Sequence, residues 1–88
     1  MNYRRLECFA RGFANHRRIQ IMELLKKLPE LSVEDIAEKL KINYKTAADH
    51  TRRLAIAGIV RKRSDGASVR HKLTKEGKIV LMFLRTLE

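Results

Sequence analysis

A single cysteine, Cys8, can close no intramolecular disulfide and build no cysteine-cluster zinc site, so a disulfide scaffold and a zinc ribbon are both excluded. Cys8 is expected to be a packed helix residue. No apolar run approaches the roughly 18 residues of a membrane span, and the N-terminus, with Glu7 and several arginines among its apolar residues, lacks the core of a signal peptide. A cytoplasmic protein without membrane contact is expected. There is no glycine-rich phosphate loop, Ser-His-Asp set or paired carboxylate, and the four glycines fall at helix ends or turns. An enzyme is therefore not expected. His16, His50 and His71 lie on three separate predicted elements, so no metal site and no cofactor are expected.

What is present is positive charge. Twenty Lys and Arg against ten Asp and Glu give +10 over 88 residues, which calls for a polyanionic partner, nucleic acid ahead of an acidic membrane surface. A chain this short makes one domain, 1–88, burying only about 60–65% of its unfolded surface. Self-association would supplement so thin a core.

The most informative stretch runs from Ser32 to Val60. Val33, Ile36, Ala37 and Leu40 recur at helical spacing opposite Glu34, Asp35, Glu38 and Lys39, with Ser32 placed to cap the first turn and acids suited to its dipole. Asn43, directly after Lys41-Ile42, is a second N-cap, and Ile42 is expected to plug the joint. In the helix that follows, Ala47, Leu54 and Ala57, with Thr51, form a narrow inward stripe. The outward face carries Tyr44, Lys45, Thr46, Ala48, Asp49, Arg52 and Arg53, hydrogen-bonding and cationic groups of the kind that read base edges and meet phosphates. A solvated helix face would look similar on spacing alone. The pattern is a helix-turn-helix, closed by Gly58 as a left-handed cap residue.

Before it, Tyr3, Leu6, Phe9, Ala10 and Phe13 share one helical face, and Gly12 is expected to weaken that helix's end. Asn15 caps a second helix with Ile19, Met22, Leu25 and Leu28 as its main stripe and Ile21 and Leu24 widening it, ended by Pro29. Arg17 and Arg18 oppose the dipole in its first turn, which predicts an offsetting anion outside the fold, a DNA phosphate.

From Ile59 the period changes to two. Asp65-Gly66 predicts a type I′ hairpin setting Arg63 opposite Ser68, Lys62 opposite Val69 and Arg61 opposite Arg70. One face then carries Val60, Lys62, Val69, His71 and Leu73, the other Arg61, Arg63, Ser68, Arg70 and Lys72. Opposed like charges destabilise a hairpin, so an exposed basic wing serving phosphates or a minor groove is expected. Thr74 caps a last helix in which Ile79, Val80, Phe83, Leu84 and Leu87 fill one broad face while Leu81 and Met82 fall outside it. One partner surface cannot cover them all, which predicts a homodimer.

The run from Leu31 to Val60, and Asn15 to Leu25 upstream of it, resemble the DNA-binding core of ArsR-like winged-helix repressors, and Leu73-Thr74-Lys75-Glu76-Gly77-Lys78 is similar also to MarR-like proteins. The resemblance implies dimerisation through the terminal helices. Metal-binding ArsR-like proteins carry Cys-x-Cys in the first helix of the motif or Asp and His on the last helix; Ser32 to Ala37 holds no cysteine, and Lys75 to Glu88 holds no histidine.

The expected fold is mainly α with a small β-hairpin: a winged helix-turn-helix of five helices plus wing, with the helix-turn-helix at 32–57, the wing at 59–73, and dimerisation helices at 1–13 and 74–88. The expected function is sequence-specific binding of double-stranded DNA as a homodimeric transcriptional regulator; the alternatives are a protein-interaction module and a non-specific architectural DNA-binder. Candidate DNA-binding residues are Arg18, Asn43, Tyr44, Lys45, Thr46, Ala48, Asp49, Arg52, Arg53, Arg61, Arg63, Ser68, Arg70 and Lys72. Candidate interface residues are Leu6, Phe9, Phe13, Val80, Leu81, Met82, Leu84 and Leu87.

Overall fold

A computed structural model describes all 88 residues. Five helices and one hairpin follow in the order α1 Tyr3–Phe13, α2 His16–Lys27, α3 Val33–Leu40, α4 Tyr44–Ile56, β1 Val60–Asp65, β2 Ser68–Leu73 and α5 Lys75–Leu87. Every helix begins at a side-chain cap: Asn2, Asn15, Ser32, Asn43 and Thr74 each accept from first-turn N–H groups that have no partner within the helix. At Ser32 the arrangement is reciprocal, because Asp35 accepts from the Ser32 N–H at 3.2 Å while Ser32 Oγ accepts from the Asp35 N–H at 3.1 Å.

Helix α4 ends in a Schellman motif. Gly58 takes φ +80°, its N–H reaches the Ala55 carbonyl, and the Ile59 N–H reaches Leu54. Ile59, now fully buried, joins Ile21, Met22, Leu25, Ile36, Ala47 and Leu54 in the core. Thr51 lies within this apolar set because its hydroxyl donates to the Ala47 carbonyl at 2.6 Å. Leu31 makes an isolated bridge to His71, adding one residue of third strand and joining the α2–α3 connection to the wing.

Five expectations are corrected. Cys8, expected to be packed, is exposed on α1. The inward stripe of α2 is centred on Ile21, Met22 and Leu25; Leu28 is the C-cap, outside the last turn, and stands exposed. Gly12 does not weaken α1 but lets it close on α4, since a Cβ there would collide with the Ala57 side chain.

In α5 the buried residues are Gly77 and Leu81, with Leu81 only 4% exposed in its own chain. Gly77 fixes this rotation, because a Cβ at that position would strike the Ile59 carbonyl. Leu81 is thus core, not interface, and the exposed apolar stripe is Ile79, Met82, Phe83 and Leu87, at 60, 72, 56 and 68% exposure.

The hairpin register is Arg61 with Lys72, Lys62 with His71, Arg63 with Arg70 and Asp65 with Ser68, so the loop is Gly66-Ala67. Gly66 has φ +64° and Ala67 does not have positive φ, the combination of a type II′ turn, whereas type I′ needs both positive. A shift of two residues preserves each strand's faces but changes every opposed pair.

Candidate nucleic-acid interface

Helix α4 is held by its small inward residues, which leave Tyr44, Lys45, Thr46, Arg52 and Arg53 exposed and Ala48 and Asp49 half-buried. Asn43 Oδ1 is committed to the cap, 2.7 Å from the Lys45 N–H and 3.3 Å from that of Thr46, so its amide nitrogen remains the group free to donate outward. Asp49 accepts from Arg52 Nη2 at 2.6 Å and Arg53 Nε at 3.2 Å. Those bonds, Arg52's first, hold its carboxyl below the usual range. No carboxylate lies within 4.0 Å of Lys45. Ile56, unassigned by periodicity, closes the same outward face at 69% exposure.

The wing tip stands beside the start of this helix: Asp65, Ala67, Ser68 and Val69 line a shallow hollow with Tyr44 and the first residues of α3. The expected continuous cationic face is instead divided. Arg63 is bonded to the Glu30 carboxylate at 2.7 Å, and Arg70 donates to the Glu30 carbonyl at 3.3 Å with Asp35 and Asp65 each 3.9 Å away. Arg70 Nε, buried, has no hydrogen-bond partner. Glu30 adopts φ +67° in the connection between α2 and α3, and its bond to Arg63 lowers its carboxyl pKa. The opposed Arg63 and Arg70 are thus held apart from within the chain, Arg63 by a carboxylate and Arg70 chiefly by a backbone carbonyl, so their pairing does not require an external phosphate.

Arg61 and Lys72, at the hairpin base, line a hollow against α5 with Lys75, Lys78, Ile79 and Met82, and no residue of α4 reaches it. Lys62, assigned by alternation to the apolar face, is exposed and without a carboxylate partner, although His71 opposite it is buried. It was not among the residues expected at the interface.

Arg18, expected to meet a DNA phosphate, is bonded within the chain. Its Nη1 donates to the Arg11 and Gly12 carbonyls at 3.0 and 3.1 Å, and its Nε to His50 Nδ1 at 3.1 Å. The anion offsetting it is the negative end of α1, inside the fold. Partial burial, then Arg18, lowers the His50 pKa. Burial likewise lowers that of His71, whose Nδ1 lies 3.0 Å from the Leu31 carbonyl. No three His, Cys, Asp or Glu residues are gathered into a metal-holding group, and no helix is long and apolar enough to cross a membrane.

Of the candidate interface residues, Phe9, Phe13 and Val80 pack partly against the core, Leu84 is half-buried, and Leu6, Met82 and Leu87 are exposed.

Residues 15–62 match the model of the arsR family of bacterial regulatory proteins. No curated protein sequence matches the chain. Among solved structures, HlyU from Vibrio cholerae is 27% identical, with 99% of this chain and 95% of that one covered at a TM-score of 0.85. HlyU from Vibrio vulnificus, a transcriptional regulator, is 29% identical, with 98 and 90% covered at 0.79. The fold is shared also with the homodimeric winged helix-turn-helix DNA-binding domain of a possible ArsR-family regulator from Mycobacterium bovis, 24% identical, with 97 and 79% covered at 0.88.

Proposed function

The chain belongs to the arsR family of bacterial regulatory proteins, and from that membership we propose that it is a cytoplasmic, non-enzymatic transcriptional regulator that binds specific double-stranded DNA sites as a homodimer. The observation that carries this reading is the outward face of α4, where Lys45, Thr46, Arg52 and Arg53 stand exposed on a helix anchored from behind by Ala47, Thr51 and Leu54. A helix presenting such groups fits a major groove, and the wing tip beside Tyr44 fits the flanking backbone. Lys62 joins the wing contacts, whereas Arg18, Arg63 and Arg70 act mainly within the fold.

The dimer reading is supported by the exposed stripe of α5 and by Leu6 and Tyr3 on α1, a large apolar surface for so small a chain. The homodimeric state of the Mycobacterium bovis domain supports it by analogy of fold. Selection of bound fragments from random-sequence duplex, followed by competition binding at several salt concentrations, tests the function. Enrichment of a two-fold-related sequence is expected. Binding with steep salt dependence but no sequence preference would identify an architectural protein, and weak, salt-insensitive binding a protein-docking module.

A further inference from the structure

Asp49 is the only carboxylate in α4, and it stands in the middle of the outward face. On a surface meant for phosphates alone, a carboxylate there would be a liability. The geometry gives it another use. Asp49 Oδ1 holds Arg52 Nη2 at 2.6 Å and Oδ2 holds Arg53 Nε at 3.2 Å, so the carboxylate fixes both guanidinium groups on its two sides. Two bonds leave about two of its four lone-pair positions open, and the side chain is 45% exposed. Arg52 gives Asp49 one N–H of Nη2 and keeps four others, both of those on Nη1 among them.

The major-groove edge of a G·C base pair presents, in a row, two acceptors, guanine N7 and O6, and then one donor, cytosine N4. An arginine bonded side by side to a carboxylate presents the complementary row of two donors and an acceptor. We propose that Arg52 and Asp49 read one G·C pair as a unit, Arg52 donating to guanine and Asp49 accepting from cytosine N4, which makes Asp49 a specificity-determining residue. This rests on the DNA-binding reading above and deepens it. The same carboxylate keeps Arg52 and Arg53 from seizing phosphates of arbitrary sequence, so it lowers non-specific affinity as it sharpens choice.

The test uses the full chain, Asp49→Ala and Asp49→Asn, all carried through selection from random-sequence duplex and then through competition binding on every single-pair variant of the selected site. Thermal melting checks that the variants fold. Asp49→Ala is expected to lose roughly tenfold or more of the G·C preference at one position, while tightening on non-specific duplex with a salt slope steeper by about one to two units. Asp49→Asn, whose amide pairs bidentately with adenine, should move the preference at that position toward A·T. If all three proteins select the same sequence with the same preferences, the paired reading is wrong although the DNA-binding function stands. A parent protein that enriches no sequence overturns both together.

Discussion

Leu81 and its neighbours Met82 and Phe83 are adjacent in sequence yet face opposite surroundings, and replacing them should separate folding from association. Leu81 is closed off by its own chain, so Leu81→Ala removes buried atoms and leaves a void, costing about 2–5 kcal/mol of unfolding free energy. Met82 and Phe83 keep more than half of their surface in water. Full burial of such a side chain is worth about 1.5–3 kcal/mol, so about 1–2 kcal/mol remains to be gained from each on association. Two-fold symmetry places each substitution twice, and Met82→Glu with Phe83→Glu should therefore weaken a dimer by about 4–8 kcal/mol, a rise in Kd of a thousandfold or more. Light scattering after gel filtration reads the mass, and urea unfolding at several protein concentrations separates monomer stability from association. The double glutamate variant should run as a folded monomer, and Leu81→Ala as a less stable dimer. An unchanged mass for the glutamate variant, or loss of association by Leu81→Ala without loss of stability, would refute the division of α5 into these two faces.

DNA affinity should fall with salt at about 0.9 log units per phosphate contact, and Lys45→Ala or Lys62→Ala should flatten that slope more than Arg63→Ala, because Glu30 already holds Arg63. Equal flattening by all three, measured by fluorescence anisotropy, would mean the Glu30 bond opens on binding. Gly77→Ala should destabilise by about 1–3 kcal/mol or more, since the added methyl meets the rigid Ile59 carbonyl; a melting temperature equal to the parent's would contradict that packing. Stability should also fall on acidification. His71 and His50 titrate below the usual 6.5 when folded, so the unfolded chain takes up protons first as pH drops through that value, while the carboxylates remain ionised. Urea midpoints should be lower at about pH 5.5 than at about pH 7.5, with His71→Gln narrowing the gap; a midpoint that does not move would show that the histidines carry no such linkage.

Helix boundaries were legible in the sequence because caps are local chemistry: Asn15, Ser32, Asn43, Gly58 and Thr74 each act within a few residues of themselves. The rotation of α5 was not, because an almost uniformly apolar run fits several arcs, and what selects among them is the fit of Gly77 beneath a distant carbonyl. The faces of the hairpin were legible and its register was not, because alternation has period two and tolerates a two-residue slip, while Asp-Gly and Gly-Ala both offer a plausible loop. For the candidate site, the outward face of α4 followed from periodicity. The contacts of Glu30, through its carboxylate to Arg63 and its backbone carbonyl to Arg70, did not, since Glu30 lies thirty or more residues away from both in sequence. Arg18 misled for a related reason: an unfavourable charge at one helix start was answered by the end of another.

The Ile59 carbonyl accepts from the Thr74 N–H at 3.0 Å, lies within reach of the Thr74 hydroxyl, and roofs Gly77. One peptide unit thereby sets the angle between the end of α4 and the start of α5. In the proposed dimer that angle acts as a calliper, since α5 fixes the symmetry axis and α4 the distance from it at which each groove is entered, about 34 Å between half-sites one turn apart. In that proposed dimer, spacing and lettering of the target would rest on different residues. Drift at Lys45, Thr46 or Asp49 can respell a half-site without moving it, whereas change at Thr74 or Gly77 would alter the stride between half-sites and leave their spelling intact.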